Sequence, residues 1–300
     1  MNPTNYGFRF NHFEIKGNIL KKCSKNEDGK HKLKREIQFY EYIRNHNIPF
    51  SIPNIYLLDK ERGVIEMEYL DCIPLTSVFY KMKNPIPNIL DPLSSLHKCS
   101  RNCSKEDYIE NIRLETYTKI VNRYNETRWD DLALFRTIKT VNHIPFKTMD
   151  YYLERINDAL MEMIHEKPDY SFCLIHGDIH LGNILVREKS QEFYFIDPRG
   201  YFGNQELFGI KEYDYAKLLF GISGYSVFDE MNVELSISDH NIDIHFIDQY
   251  CGIYESDLFD PFTKLLSLSI WLGNNSNFID VNKKITSLMI AYYLCEKFIK

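Results

Sequence analysis

Asp178, Asn183 and Asp197 are five and fourteen residues apart, and each abuts a short apolar run. Phe172 to Ile175 leads to the first, Ile184 to Val186 follows the second, and Phe193 to Ile196 precedes the third. Each run is strand-sized, so the three polar groups fall where strands give way to loops. A carboxylate at a loop tip is a base able to take a hydroxyl proton. A carboxylate and an amide oxygen together are ligands for a hard cation such as Mg2+. Phosphoryl transfer from ATP to a hydroxyl uses both, because it depends on positioning and charge neutralisation. In that chemistry Asp178 is the base, and Asn183 and Asp197 hold magnesium. A cation must also brace the ATP phosphates, and a second acid must hold that cation. An isolated Asp and Asn five apart commonly make only Asx turns; Ile196-Asp197 at a second strand end is what raises the chemical reading. His176 is expected to bond backbone near the loop, and Gly177 and Gly182 to supply backbone freedom. His180 stays open between loop support and substrate contact.

The elements that would position these groups differ along the chain. Residues 13–23 read as a strand, 25–30 as a polar turn, and 32–46 as a helix with Leu33, Ile37, Tyr40 and Ile43 on one face. Two strands follow, 54–58 and 64–70. Near residue 70 the character changes to helices: Leu90, Leu93 and Leu96 mark one, and 105–125, 150–166, 212–222, 262–272 and 283–298 mark others. The expected organisation is a strand-rich lobe over 1–70, a hinge, and a helical lobe over 71–300 interrupted by the strand–loop–strand segment. A nucleotide is expected between the lobes.

Bulk properties narrow the class. With 44% hydrophobic and 26% charged residues the chain is an ordinary globular one. A net charge of −6 argues against a general nucleic-acid binder and is compatible with a cationic substrate. Seven cysteines at irregular spacings, no apolar leader in Met1 to Asn5, and no run long enough to span a membrane point to a reduced, cytoplasmic protein without a membrane partner. Oligomeric state is not legible.

The segment from His176 through Gly177, Asp178, His180 and Asn183, followed by Asp197, resembles the catalytic loop of aminoglycoside phosphotransferases and choline kinases, relatives of the protein kinases. Leu93-Ser94-Ser95-Leu96-His97 is similar to a helix end in those enzymes, and Asp214-Tyr215-Ala216 to a helix start. The resemblance covers most of the chain. It implies an α+β, two-lobed protein-kinase-like fold, with a small antiparallel-sheet N-terminal lobe and a large, mainly helical C-terminal lobe. It implies ATP and Mg2+ as cofactors and a kinase activity toward a hydroxyl of a small molecule: an aminoglycoside, a choline-like amine or a sugar. In that family an Asp braces the catalytic loop from behind, which here is Asp214, and a strand lysine pairs with a helix glutamate. The glutamate is Glu36. Lys21, on the strand face of Ile19 and Cys23, is taken as the lysine, with Lys22 on the opposite face as the alternative. Glu68 and Leu70 would offer backbone groups to adenine.

Two departures qualify the likeness. No glycine-rich loop precedes the lysine, Gly7 and Gly17 being isolated, which points away from protein kinases. Asp197 is followed by Pro198-Arg199-Gly200, and proline fixes φ, so a rigid metal-binding turn is expected. Arg199 is a candidate contact to substrate or transferring phosphate, or a brace to a neighbouring loop. Competing readings are a catalytically silent nucleotide-binding scaffold, and a metallophosphoesterase built on Asp178 and His180. The latter lacks the further histidine motifs that fold requires. Trp129 and Trp271 are read as core rather than as a box for a quaternary ammonium.

Overall fold

The computed structural model describes residues 10–127, 129 and 133–299. Met1 to Asn5 and Gly7, read above, lie outside them. The chain opens with an antiparallel hairpin, β1 (Asn11–Lys16) and β2 (Ile19–Ser24), turned at Gly17 with φ +61°. The single strand expected over 13–23 is therefore two. The polar stretch 25–30 is largely helix: Asn26 caps α1 (Glu27–Asn45) by accepting from the Gly29 N–H, and Glu27 and Asp28 face its positive end. Helix α1 buries Leu33, Glu36, Ile37, Phe39, Tyr40 and Ile43. Next come β3 (Ile55–Asp59) and β4 (Val64–Glu68), which complete a sheet ordered β1-β2-β4-β3, antiparallel throughout.

Strand β5 (Ile73–Pro74) and helix α2 (Ile86–His97) follow. The long helix expected over 105–125 is α3 (Lys105–Arg113) and α4 (Lys119–Glu126), separated by one π turn, Leu114–Thr118. Helix α5 (Met149–His165) is capped by Thr148. The three apolar runs around the candidate residues are β6 (Ser171–Leu174), β7 (Ile184–Arg187) and β8 (Glu192–Phe195). Strand β9 (Phe208–Gly209) pairs with β6, and β5 lies beside β7 in a sheet ordered β8-β7-β5. Helices α6 (Lys211–Phe220), α7 (Pro261–Leu272) and α8 (Val281–Phe298) complete the helical elements used below.

Contacts group the chain into two compact units, neither continuous in sequence. The first is residues 1–101 with 171–214; the second is 102–170 with 215–300. This grouping differs from a division at residue 70. Residues 71–101 and 171–214 join the N-terminal sheet because β5 is completed by β7 and because the loop after β6 is anchored within the same unit. The second unit is helical. Its α7 packs against both α5 and α8, and α8 buries every residue from Ile285 to Cys295. Trp271 is fully buried there and donates to the Ser223 Oγ at 3.1 Å, and Trp129 is 7% exposed, so both are core. Among the described residues no helix is long and apolar enough to cross a membrane.

Candidate active site

The loop after β6 is held from beneath by one buried carboxylate. Asp214 Oδ2 accepts from the His176 N–H at 3.0 Å and contacts His97 Nε2 at 3.0 Å; Oδ1 accepts from the Gly177 N–H at 2.7 Å. Asp214 and His176 are 0% exposed, so these bonds are made where an unmatched charge or N–H would be costly. Gly177 has φ +78°, a conformation that favours glycine. The His176 ring lies edge-on to Phe39 and places Nε2 3.0 Å from the Ile196 carbonyl, tying the loop to the end of β8. Its Nδ1 accepts from the Asp178 N–H at 3.3 Å, and burial lowers its proton affinity. A neutral imidazole satisfies both contacts.

From this base Asp178 projects with a third of its side chain exposed. A turn at Leu181–Asn183 brings the chain back, and Asn183 Nδ2 donates to the Asp178 carbonyl at 2.9 Å and to Asp178 Oδ2 at 3.2 Å. Asp197 follows β8, which pairs with β7 so that Ile184 faces Phe195. That register, and the Ile196 N–H donating to the Asn183 carbonyl at 3.0 Å, set Asp197 beside Asn183. Asp197 has φ +57°, a strained backbone for a non-glycine residue.

The lysine that pairs with Glu36 is Lys22, not Lys21. Lys22 Nζ is 2.7 Å from both Glu36 Oε2 and Asp197 Oδ1, with only 4% of its side chain exposed. Burial pulls its proton affinity down, but the Asp197 and Glu36 carboxylates together hold it above the ordinary lysine value. Burial pushes the Glu36 carboxyl up, to about 7, against the opposing pull of Lys22. Lys21 is 39% exposed and among the described residues reaches Glu66, at 4.0 Å. The reason is register. Lys22 lies across from Ile65 and Lys21 across from Glu66, so the core-facing side of β4 selects Lys22.

Arg199 contacts two tyrosines. Its Nη1 donates to the Tyr213 Oη at 2.6 Å, and its guanidinium lies 3.8 Å from the Tyr201 ring centroid. Arg35 lies 4.2 Å from the same ring, so Tyr201 contacts both guanidinium groups. Gly200, with φ +67°, lets this turn approach α1; a Cβ there would sit 2.6 Å from the Arg35 carbonyl oxygen. Of the candidate adenine contacts, the Glu68 N–H donates to the Asn54 carbonyl at 2.8 Å and its carboxylate accepts from Asn54 Nδ2 at 2.6 Å. Leu70 is buried, and among the described residues its N–H donates to no backbone carbonyl. The residues not singled out by sequence reasoning, Arg35, Tyr201 and Tyr213, carried no signal beyond their proximity to Glu36, Asp197 and Asp214.

Solved structures share this architecture at low sequence identity. Choline kinase LicA from Streptococcus pneumoniae aligns at a TM-score of 0.53 and 15% identity, over 96% of this chain and 90% of its own. Glucosamine kinase, in complex with glucosamine, ADP and inorganic phosphate, aligns at 0.53 and 10%, over 96% and 78%. A streptomycin-ATP-APH(2'')-IIa ternary complex aligns at 0.50 and 13%, over 99% and 96%. The fold is thus protein-kinase-like, with the antiparallel sheet N-terminal and the mainly helical part C-terminal. A comparison with curated proteins found no match. A model of the phosphotransferase enzyme family matches residues 7–199, well over half of the chain and the whole span from Lys22 to Arg199, and the chain therefore belongs to that family.

Proposed function

We propose that the protein is an ATP-dependent O-phosphotransferase that moves the γ-phosphoryl group to a hydroxyl of a small molecule. The observation that carries the reading is Lys22, buried and 2.7 Å from both Glu36 and Asp197, in the same compact unit as the Asp178–Asn183 pair. A buried lysine held by two carboxylates is a fixed positive charge suited to ATP phosphates. Asp178 is the base, in reach of solvent and steadied by Asn183. Arg199, bonded to Tyr213 and stacked on Tyr201, braces the Asp197 turn rather than contacting phosphate. Leu70 and Glu68 remain the adenine-facing backbone by position.

Asn183 and Asp197 fit a magnesium ion. Asn183 gives its Nδ2 to Asp178, which leaves Oδ1 as its cation-facing atom, and the Asp197 carboxylate is 45% exposed beyond its contact with Lys22. One amide oxygen and one carboxylate suit Mg2+, which keeps water and substrate phosphate oxygens in its shell. Among the described residues no cluster of three or more acidic, His or Cys side chains could hold a metal alone. When bound, Mg2+ neutralises charge on the phosphates. For the acceptor, the named ligands of the fold relatives (glucosamine and streptomycin) and the net charge of −6 support a hydroxylated amine or sugar.

Replacing Asp178 with Asn should reduce turnover by roughly 10²–10⁴-fold while ATP affinity and melting temperature stay near wild type. An ATP-consumption screen over aminoglycosides, choline, ethanolamine and sugars supplies the acceptor. A fully active Asp178→Asn protein removes the assignment.

A further inference from the structure

We propose that His180 seats the acceptor hydroxyl on Asp178, donating its Nε2–H to the hydroxyl oxygen whose proton Asp178 takes; the inference rests on the phosphotransferase reading above. The loop itself selects the tautomer. His180 Nδ1 accepts from the Gly182 N–H at 3.2 Å, so in the neutral ring the proton is on Nε2. Gly182 makes room for that seat: a Cβ there would lie 3.0 Å from His180 Cε1 and 3.2 Å from Nδ1.

The donor faces the base across a gap of defined width. His180 Nε2 is 3.9 Å from Asp178 Oδ2. That is too long for a direct hydrogen bond, yet an oxygen about 2.8 Å from each atom fits between them. Both side chains reach solvent, at 18% and 33% exposure, so an acceptor can arrive. Asn183 holds the same Oδ2 at 3.2 Å and fixes the carboxylate relative to the ring. The hydroxyl oxygen then uses one lone pair for the Nε2–H and the other for phosphorus. As the new O–P bond forms, its proton passes to Asp178. The bond from phosphorus to the ADP oxygen breaks, with its electron pair left on ADP. The Nε2–H stays on His180 throughout.

Two substitutions separate this role from loop support. His180→Asn keeps an oxygen that can accept from the Gly182 N–H but removes the distal donor. His180→Gln carries an amide N–H near the position of Nε2. Both are compared with wild type and His180→Ala for ATP–Mg2+ affinity, melting temperature, and turnover with the hydroxyl compound found by the screen and with water as acceptor. Removing the donor should lower kcat/KM for the acceptor about tenfold in the Asn and Ala proteins, the worth of one hydrogen bond, with ATP affinity and melting temperature unchanged in the Asn protein. The Gln protein should recover part of it. An Asn protein with wild-type acceptor kinetics, or equal losses in ATP affinity and acceptor kinetics, overturns the proposal. A wild type that binds or consumes no ATP fails at the earlier step, and the phosphotransferase reading falls with it.

Discussion

At the scale of single residues, the polar groups of the loop were legible because they are punctuated by apolar runs. Asn183 and Asp197 sit at strand ends and Asp178 on the loop that leads to Asn183, and short strands leave little freedom in where their ends emerge. The lysine was not legible for a specific reason. Strand β2 carries Ile19, Leu20 and Cys23 on both faces, so alternation within it does not say which side is buried. The deciding information lies across the sheet, in the clean alternation of Ile65, Glu66, Met67 and Glu68, and becomes usable only once Lys22 is known to face Ile65. This makes a contrast that can be measured. Lys22→Met leaves Glu36 buried without its cation, which costs roughly 3–5 kcal/mol where the carboxylate is ionised. Burial already raises the Glu36 carboxyl to about 7, so at lower pH a bound proton replaces the missing charge. A group raised in the folded state stabilises below its unfolded value and loses that contribution as pH rises through the folded one. The loss on Lys22→Met should therefore be smaller at pH 6 than at pH 8 in urea denaturation. Lys21→Met, at a half-exposed site, should stay within about 0.5 kcal/mol of wild type at both. Equal effects of the two substitutions would refute the register argument.

Elements add what residue types cannot. The sequence suggested a stiff turn after Asp197, because proline restricts φ, but not what the turn rests on. It rests on α1, the helix that also carries Glu36. Gly200 brings the backbone against the Arg35 carbonyl, and Tyr201 contacts the Arg35 and Arg199 guanidinium groups. Helix α1 thus fixes both ends of the Glu36–Lys22–Asp197 chain of ion pairs. The start of α1 was misread because Asn26, Glu27 and Asp28 are turn-forming residues by composition, and only the cap geometry shows them opening a helix. Two glycines with near-identical φ test the contact. A Cβ added at Gly17, where φ is +61°, would meet nothing within 4 Å, whereas one at Gly200, where φ is +67°, would meet the Arg35 carbonyl oxygen at 2.6 Å. Gly17→Ala should cost only the left-handed backbone penalty, about 1–2 kcal/mol. Gly200→Ala should cost more, and should also weaken ATP–Mg2+ binding, since Glu36 and Asp197 would separate. Calorimetry of both variants with and without nucleotide checks this; a Gly200→Ala protein no less stable than Gly17→Ala would show that α1 does not fix the turn.

On the scale of the whole molecule, the change in character near residue 70 was readable but the closure of the first unit was not, because closure depends on contacts remote in sequence. His97 and the loop at His176 and Gly177 share Asp214, so a carboxylate more than a hundred residues beyond α2 completes the support of the site. The chain leaves this unit at 101 and returns at 171. Departure and return are adjacent: the Cys103 N–H donates to the Tyr170 carbonyl at 3.1 Å, and Ser100–Asn102 lies in one sheet with β6. Residues 1–101 alone lack the β7 partner of β5, the loop after β6 and Asp214, and leave His97 without its buried carboxylate. That fragment should show no cooperative thermal transition by circular dichroism. Joining residue 101 to 171 through a short Gly/Ser linker and ending at 214 restores each of those contacts without a long loop to close, and the joined chain should melt cooperatively. A fragment of 1–101 that folds unaided would mean the sheet and α1 are self-sufficient, and that Asp214 serves the loop without serving the unit's stability.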